Sequence, residues 1–292
     1  FFRFIFFLRY LFGLFIVAII LFLIIPSFLN YEKRSEVFKK YIAKNYGFKI
    51  SKYESIKYQL FPFPNFEFTN PKINIDSSPV ELNVKKLKIY PKLLSIYNNE
   101  NFQSNKIILN KSDIILRTLD LKFIVKEFLN KKNKLYFDDL NIRFYDGTGL
   151  LVSLENIKFT NFGFKKNIVD GNIFGKKFKA KLNKSLNKID LKIHKSGVNV
   201  DISLDTKNDK NFIKGVLRSK ILNTNLKFNF IFNKKSLKIH NSFFRSKNLS
   251  FENNILIIFE PFLDIKSNFK IDDIDVEIFN KFKLEKILTY KN

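Results

Sequence analysis

The sequence predicts a mainly β protein with an N-terminal transmembrane helix, followed by a long twisted antiparallel sheet with few short helices. An uncharged apolar run from Tyr10 to Leu29 predicts the transmembrane helix. From Phe48 to Ile278, apolar and polar residues alternate with the period of two that is typical of strands. Few segments in this region have helical spacing, and the preferred handedness of strands gives a long sheet its twist.

The apolar run has the length of a membrane span, because a helix of about twenty residues rises about 30 Å, the thickness of a bilayer's hydrocarbon core. A cleavable signal peptide has a shorter apolar region and small residues before its cleavage site, and Ile25 to Leu29 lack that pattern. A core helix of a soluble protein seldom stays apolar on every face for this length. We therefore expect an uncleaved membrane anchor in residues 1–30 and a tethered domain in residues 31–292.

The positive charges around the anchor leave its orientation open. Arg3 and Arg9 precede the apolar run. Five cations follow it: Lys33, Arg34, Lys39, Lys40 and Lys44. A simple positive-inside count favours a cytoplasmic domain, but long segments cross membranes largely regardless of charge. Both topologies remain compatible with the charges.

Composition limits the classes of function. The 292 residues are 46% apolar, which excludes a disordered chain, and they carry a net charge of +25. The lysines are scattered and alternate with apolar residues, so they indicate a solvated sheet face or a membrane-surface preference more than a nucleic-acid interface. The absence of cysteine excludes disulfides and thiolate metal sites. Because the chain does not begin with Met, we expect it to be a fragment of a longer protein, and the sequence leaves open whether the strands continue beyond Asn292.

The segment after the anchor predicts one helix and then strands. Phe38, Tyr41 and Ile42 have helical spacing within the range Tyr31 to Tyr46, and Gly47 is suited to a left-handed C-cap. Strand-like runs begin at Phe48. They are interrupted at residues 61–64, where two prolines predict a bend or a sheet edge. Residues 93–96 are predicted to be a short connection, and residues 107–109 and 114–116 to be separate strands.

One further helix is predicted from Thr118 to Asn130, followed by at least eight short strands. Turn signals between these strands lie at four places: Asp146-Gly147, Asp170-Gly171, Ser196-Gly197 and Asp205 to Lys210. Two strands alternate most regularly, and their apolar positions form the candidate site. These positions are Val198, Val200, Ile202, Leu204, Leu226, Phe228, Phe230 and Phe232.

Regular alternation predicts a sheet with one apolar face and one hydrated face. Few helices are available to cover the apolar face. Two architectures satisfy this pattern: a closed sandwich, in which the sheet packs on itself, and a long curved groove that holds something apolar. Periodicity alone leaves both open.

Motifs for catalysis, metal binding or cofactor binding are missing from the sequence. His194 and His240 lie in strand-like runs away from acidic clusters, and the acidic residues at 272–275 lack the spacing of a calcium loop. Nucleophile elbows, phosphate-binding glycine loops and HExxH motifs do not occur. We therefore predict that the protein is not an enzyme and that it has no catalytic, metal or cofactor site.

The order of features from Phe4 to Thr160 resembles the N-terminal part of the AsmA-like family. The resemblance lies in the anchor, the helix ending at Gly47 and the proline-rich interruption. It continues in three segments: NFEFTNPKINI, VELNVKKLKIYPKLLSIYNNENFQSNKIILNKSDIIL and LYFDDLNIRFYDGTGLLVSLENIKFT. The chain departs from the family at Lys111-Ser112, where a proline is usual.

This resemblance implies a bacterial inner-membrane protein with a single span and most of its mass in the periplasm. It also implies a sheet folded into a U-shaped groove, as in bridge-like lipid-transfer proteins. The implied function is outer-membrane biogenesis through binding and conducting phospholipid acyl chains between membranes. The implied partners are phospholipid, the inner membrane and outer-membrane or envelope proteins. The alternative is a scaffold or assembly factor for outer-membrane proteins that transports no lipid.

Overall fold

The structure is a computed structural model in which part of the chain is described. The described residues are 2–76, 80–98, 101–117, 132–146, 149–183, 187–205, 212–221, 224–233, 235–259 and 262–275. They form two compact units, Phe1–Lys166 and Asn167–Asn292, which are called the N-terminal and C-terminal units below. The described residues are 61% strand and 18% helix, which confirms the predicted mainly β fold.

Two α-helices begin the N-terminal unit. Helix α1 spans Phe2–Ile24 and continues into a 3-10 turn at Ile25–Phe28. Helix α2 spans Ser35–Tyr46, after a 3-10 turn at Glu32–Arg34. It ends as predicted: Gly47 has a left-handed φ of 64° and its N–H donates to the Ala43 carbonyl oxygen at 3.0 Å.

Eight strands follow in the described part of the N-terminal unit. Their bounds are β1 Phe48–Lys52, β2 Ser55–Gln59, β3 Asn65–Thr69, β4 Lys72–Ile75, β5 Glu81–Pro91, β6 Ser104–Arg117, β7 Leu135–Asp146 and β8 Gly149–Thr160. β1 pairs with β4 and β2 with β3, and both β3 and β4 pair with β5. The proline-rich segment makes the turn between β2 and β3, as predicted. The predicted connection at residues 93–96 is a 3-10 turn, Leu93–Ile96.

The ladder differs from the prediction at β6 and β7. The two separate strands predicted at 107–109 and 114–116 are one strand, β6, whose ladder with β5 continues past Lys111 at a positive φ of 52°. β6 and β7 are parallel, although an antiparallel sheet was predicted, and β7 and β8 are antiparallel again. Parallel neighbours require a long connection, and residues 118–134 separate these two strands. The helix predicted from Thr118 to Asn130 lies outside the described residues.

The core of the N-terminal unit lies between α2 and the sheet. Phe38 and Ile42 of α2 are buried, and the Phe38 ring centroid is 4.6 Å from that of Phe66 on β3 and 4.7 Å from that of Phe102. Aromatic contacts of this kind add to the roughly 1.5–3 kcal/mol that burial of each large apolar side chain contributes. This packing fixes the helix on the sheet directly after the anchor.

Nine strands form the described part of the C-terminal unit. Their bounds are β9 Ile168–Ile173, β10 Lys176–Leu182, β11 Lys188–Ile193, β12 Val198–Leu204, β13 Ile213–Ile221, β14 Thr224–Phe232, β15 Ser236–Arg245, β16 Leu249–Ile258 and β17 Asp264–Ile274. Each strand pairs antiparallel with the next along the chain, from β9 to β17. In the described residues β9 and β17 do not pair with each other, so this ladder is open.

One predicted turn of the C-terminal unit is wrong. Asp170-Gly171 lies inside β9, where Gly171 is the cross-strand partner of Phe178. The turn that joins β9 to β10 is Phe174-Gly175, with φ values of 49° and 71°. Two central residues with positive φ give the hairpin turn that matches strand twist. The predicted turn at Ser196-Gly197 is confirmed between β11 and β12, and Gly147 and residues 206–210 lie outside the described residues.

Candidate functional site

The eight predicted site residues lie on one face of the C-terminal ladder. Residues directly opposite each other in an antiparallel pair project to the same face. On β12, Val200, Ile202 and Leu204 oppose Ser219, Leu217 and Gly215 of β13. On β14, Leu226, Phe228 and Phe230 oppose the same three residues of β13. Val198, the first residue of β12, and Phe232, the last residue of β14, continue this face.

The same face is apolar across all nine strands, and it is called the apolar face below. Cross-strand partners extend this face from β12 to β9 and from β14 to β17. Beyond the eight predicted residues it includes Val169, Phe178, Ala180, Leu182, Ile189, Leu191, Ile193, Leu217, Leu237, Ile239, Phe244, Phe251, Ile255, Ile257, Ile265, Phe269 and Ile271.

The opposite face of the ladder, called the polar face, carries most of the cations of the C-terminal unit. Its cross-strand neighbours include Lys179 with Lys192, Asp201 with Arg218, and Arg218 with Lys227. These side chains are mostly exposed. In this unit the large positive charge of the chain is therefore spread over a hydrated sheet face.

The apolar face is only half buried. All eight predicted site residues have intermediate exposure, and in the described part of this unit only Phe178 and Ala180 are buried apolar residues. At β17, Phe269 is 52% exposed and Ile271 58% exposed. By contrast, Ile107 and Leu109 of β6, in the N-terminal unit, are 0% exposed. The main contacts of each described strand in the C-terminal unit are with its ladder neighbours, so no second layer of a sandwich covers this face among the described residues.

Gly215 allows a close approach in the middle of the apolar face. A Cβ at this position would stand 2.7 Å from Phe230 Cζ and 2.6 Å from the Ser203 carbonyl oxygen. A strand glycine often marks a site where another group comes close to the backbone. Here that group is an aromatic ring of the apolar face itself.

A bulge in β15 brings in residues that periodicity did not identify. Ile239 and Ser242 both lie on the apolar face, opposite Ile255 and Asn253 of β16, so β15 has one extra residue at this point. Asn241, within the bulge, has a positive φ of 47°. The bulge moves Phe244 onto the apolar face and Phe243 onto the polar face, where the Arg245 guanidinium lies 4.7 Å from its ring centroid. In the sequence, the signal for this bulge is an asparagine, Asn241, inside an alternating run.

Aromatic rings continue the apolar face beyond the bulge. The rings of Phe244 and Phe251 are stacked with centroids 5.0 Å apart, and Phe269 meets Phe251 edge to face at 5.4 Å. These contacts join β15, β16 and β17 through their side chains as well as their backbones. They extend the candidate site past the two strands that the sequence indicated.

Two carboxyl groups are cross-strand neighbours on the polar face. Asp190 and Asp201 are cross-strand partners, and the hydrogen bond between their carboxyls raises the pKa of Asp201. Burial and the charge of Asp190 raise it further, whereas Lys188 and Arg218 oppose the shift. This pair lies on the face opposite the candidate site.

The end of α1 is held by the N-terminal unit. The Tyr58 hydroxyl donates to the Leu23 carbonyl oxygen at 3.1 Å, and the Tyr97 hydroxyl donates to the Phe22 carbonyl oxygen at 2.6 Å. Burial raises the pKa of both tyrosines. They satisfy carbonyl groups that a helix C-terminus leaves without intrahelical partners. α1 itself, with the turn that follows, is the one described helix with the length and apolarity of a membrane span or signal anchor, at Phe7–Phe28.

Comparisons of the chain with protein-family models, curated proteins and solved structures find no match.

Proposed function

We propose that the protein is anchored by α1 in a bacterial inner membrane, has most of its mass in the periplasm, and conducts phospholipid acyl chains between membranes in outer-membrane biogenesis. One observation carries the proposal: a continuous apolar face extends over nine strands and is only half buried in the described residues. An apolar surface of this extent in contact with water is costly unless a partner covers it. Acyl chains are a partner that needs no catalytic residue.

The dimensions of the ladder suit a path for acyl chains. Nine strands spaced about 4.8 Å apart extend about 38 Å across the ladder. One leaflet contributes about half of the hydrocarbon core, or about 15 Å. The apolar face is therefore longer than a single acyl chain, so that one lipid can move along it between equivalent apolar positions. Each methylene removed from water contributes about 0.8 kcal/mol.

Two further features support the proposal. The N-terminal sequence resembles the AsmA-like family, which implies lipid transfer in a groove-shaped sheet. The apolar helix α1, whose exposed side chains include Leu14 and Phe15, is suited to a membrane span. With its cations on the opposite face, the C-terminal ladder remains soluble while its apolar face is available for lipid.

Site-specific photocrosslinking in cells tests the proposal. A photoreactive amino acid at Phe228 is expected to crosslink phospholipid, because this side chain lies on the apolar face. The neighbouring Asn229, on the polar face, is the matched control and is expected to remain unlabelled. Ile202 and Asp201 of β12 provide a second pair with the same alternation.

Three outcomes contradict the proposal. Equal labelling of both faces indicates mere proximity to a membrane. Labelling of neither face indicates that something other than lipid covers the apolar face, as expected for a scaffold that assembles outer-membrane proteins. Crosslinks to a protein at Phe228 and to nothing at Asn229 also favour the scaffold. Native mass spectrometry of the detergent-extracted protein gives an independent measure, since a lipid-conducting protein is expected to retain phospholipid.

A further inference from the structure

Five exposed apolar side chains lie on segments of the N-terminal unit next to the end of α1. They are called the juxtamembrane patch: Phe28, Phe61, Phe63, Leu93 and Leu94. Phe28, Phe61 and Leu94 are each more than 80% exposed, which is unusual for side chains of this size. The five come from three segments of the chain: the turn after α1, the connection between β2 and β3, and the turn after β5.

The hydrogen bonds at the end of α1 bring these segments together. Tyr58 and Tyr97 donate to consecutive carbonyl groups of α1, and the Tyr97 ring centroid lies 4.9 Å from that of Phe22. Phe61 is three residues from Tyr58 and Leu94 three residues from Tyr97. Three residues of extended chain span at most about 11 Å. Phe61 and Leu94 therefore lie close to the end of α1, and Phe28 lies in the turn that directly follows α1 in the chain.

The two loops of the patch are fixed by their own hydrogen bonds. The Ser95 hydroxyl oxygen is buried, 2.9 Å from the Lys92 carbonyl oxygen and 2.7 Å from that of Gln103. The Asn65 side-chain amide donates to the Phe63 carbonyl oxygen at 2.9 Å. Anchoring Ser95 and Asn65 inside the unit leaves Leu93, Leu94 and the two phenylalanines projecting outward.

We propose that the juxtamembrane patch inserts into the interfacial region of the same phospholipid bilayer that α1 spans, so that the N-terminal unit lies against that membrane. This inference rests on the proposed membrane span of α1. Phenol rings at the end of a span are typical of the membrane interface, and Tyr58 and Tyr97 have that position. Exposed cations accompany the patch: Lys57 precedes Tyr58, and Lys92 precedes Leu93. Apolar tips with adjacent cations suit a surface of anionic phospholipid.

The absence of tryptophan from the chain allows a direct test. Leu94→Trp introduces a single indole in the patch of the full-length protein, reconstituted in vesicles of phosphatidylcholine and phosphatidylglycerol. With brominated acyl chains its emission is expected to be quenched about twofold, because interfacial side chains lie about 5–10 Å into the boundary between headgroups and acyl chains. Phe61→Trp is a second variant that reports on the other loop.

Two control positions make each outcome interpretable. Leu150→Trp also replaces an exposed apolar residue. The register of β5 to β8 places Leu150 at the opposite end of the sheet from Leu93. β5 alone has 11 residues and extends about 33 Å. Phe15→Trp lies within α1 and reports the span itself.

Quenching at Leu94→Trp and Phe61→Trp, but not at Leu150→Trp, supports membrane docking of the patch. Quenching at Phe15→Trp alone overturns the docking inference and leaves the proposed span intact. A patch that binds a protein instead of lipid gives this second result in pure vesicles. Absence of quenching at all four positions overturns the docking inference together with the proposed span.

Discussion

The aromatic ring of Phe230 occupies the space that a side chain at Gly215 would need. The two residues are cross-strand partners on the apolar face, and a Cβ on Gly215 would stand 2.7 Å from Phe230 Cζ. The Ser203 carbonyl oxygen, on the other side, would be 2.6 Å away. Protein atoms pack at interior density without such overlaps. Gly215 thus leaves room on the apolar face for the ring of Phe230 to lie over β13.

Gly215→Ala is expected to lower the free energy of unfolding by about 1–3 kcal/mol, the usual cost of overpacking. The Ser203 oxygen belongs to the backbone of β12 and cannot move without disturbing the ladder. Denaturant unfolding of the purified protein in detergent measures the change.

Phe230→Leu provides the control for this prediction. Removing the ring is expected to reduce the cost of Gly215→Ala, because one of the two overlaps is then relieved. A double-mutant cycle isolates this coupling between neighbouring residues. An identical cost in both backgrounds would show that the ring does not occupy the space above Gly215.

The sequence predicted β12 and β14 well because their alternation is uninterrupted. Val198 to Leu204 and Leu226 to Phe232 need only a regular ladder to place their apolar residues on one face, and the register provides it. β13 was harder to recognise as part of this face, since Gly215 and Ser219 occupy two of its apolar-face positions. Their small size is explained only by what lies opposite them.

Prediction failed where the backbone departs from regular geometry. The bulge in β15 shifts the alternation by one residue, so Phe244 could not be assigned to a face from its spacing. The Asp170-Gly171 signal was misread because glycine serves both in turns and at close strand contacts. Phe174-Gly175 was missed because phenylalanine seldom adopts a positive φ.

The juxtamembrane patch also could not be predicted, because it depends on long-range contacts. Tyr58 and Tyr97 lie 35 and 75 residues from their carbonyl partners in the chain. Periodicity describes neighbours in sequence and contains no information on such pairs. The helix that ends at Gly47, by contrast, depends on local spacing and a C-cap, and both can be recognised in the sequence.

Asp201→Asn is expected to stabilise the protein near pH 7. In the folded protein the Asp201 pKa is raised, chiefly by its hydrogen bond with Asp190. Between the ordinary and the raised pKa the folded state binds more protons than the unfolded state, so stability falls as the pH rises through this interval. Above the raised pKa, the whole destabilisation caused by the Asp201 charge is present. The expected gain is about 0.2–1 kcal/mol, the scale of one cross-strand pair.

Urea unfolding at two pH values checks this prediction. The gain is expected to disappear near pH 3, below the ordinary aspartate pKa of about 3.9. Asp170→Asn is the matched control, because Asp170 lies opposite Lys179 and its removal deletes an attraction. A larger stabilisation by Asp201→Asn at pH 3 than at pH 7 would contradict the sign of the shift.

Protease accessibility tests the orientation of the anchor. If the bulk of the chain lies in the periplasm, protease added to intact spheroplasts is expected to digest the C-terminal unit. The exposed Phe164, in the connection between β8 and β9, offers an accessible site. A cytoplasmic marker protein must remain intact in the same sample. Survival of the chain until the inner membrane is permeabilised would refute the periplasmic location and the function that depends on it.

Phe230→Lys is expected to abolish phospholipid binding by the detergent-extracted protein. A lysine on the apolar face must retain water or lose its proton, and either result opposes its coverage by acyl chains at a cost of several kcal/mol. Asn229→Lys adds the same charge one residue away on the polar face, next to Lys227 and Lys238, and is expected to retain lipid. Phe230→Leu, which keeps the face apolar, is expected to retain it too.

Copurified phospholipid, measured per protein by mass spectrometry, distinguishes these variants, and circular dichroism confirms that each remains rich in strand. Destabilisation of Phe230→Lys is not decisive, because a packed interior would suffer it as well. The comparison that decides is lipid content in folded protein. Equal phospholipid in Phe230→Lys and Asn229→Lys would mean that lipid does not lie on the apolar face of β14, and the proposed path would then be wrong.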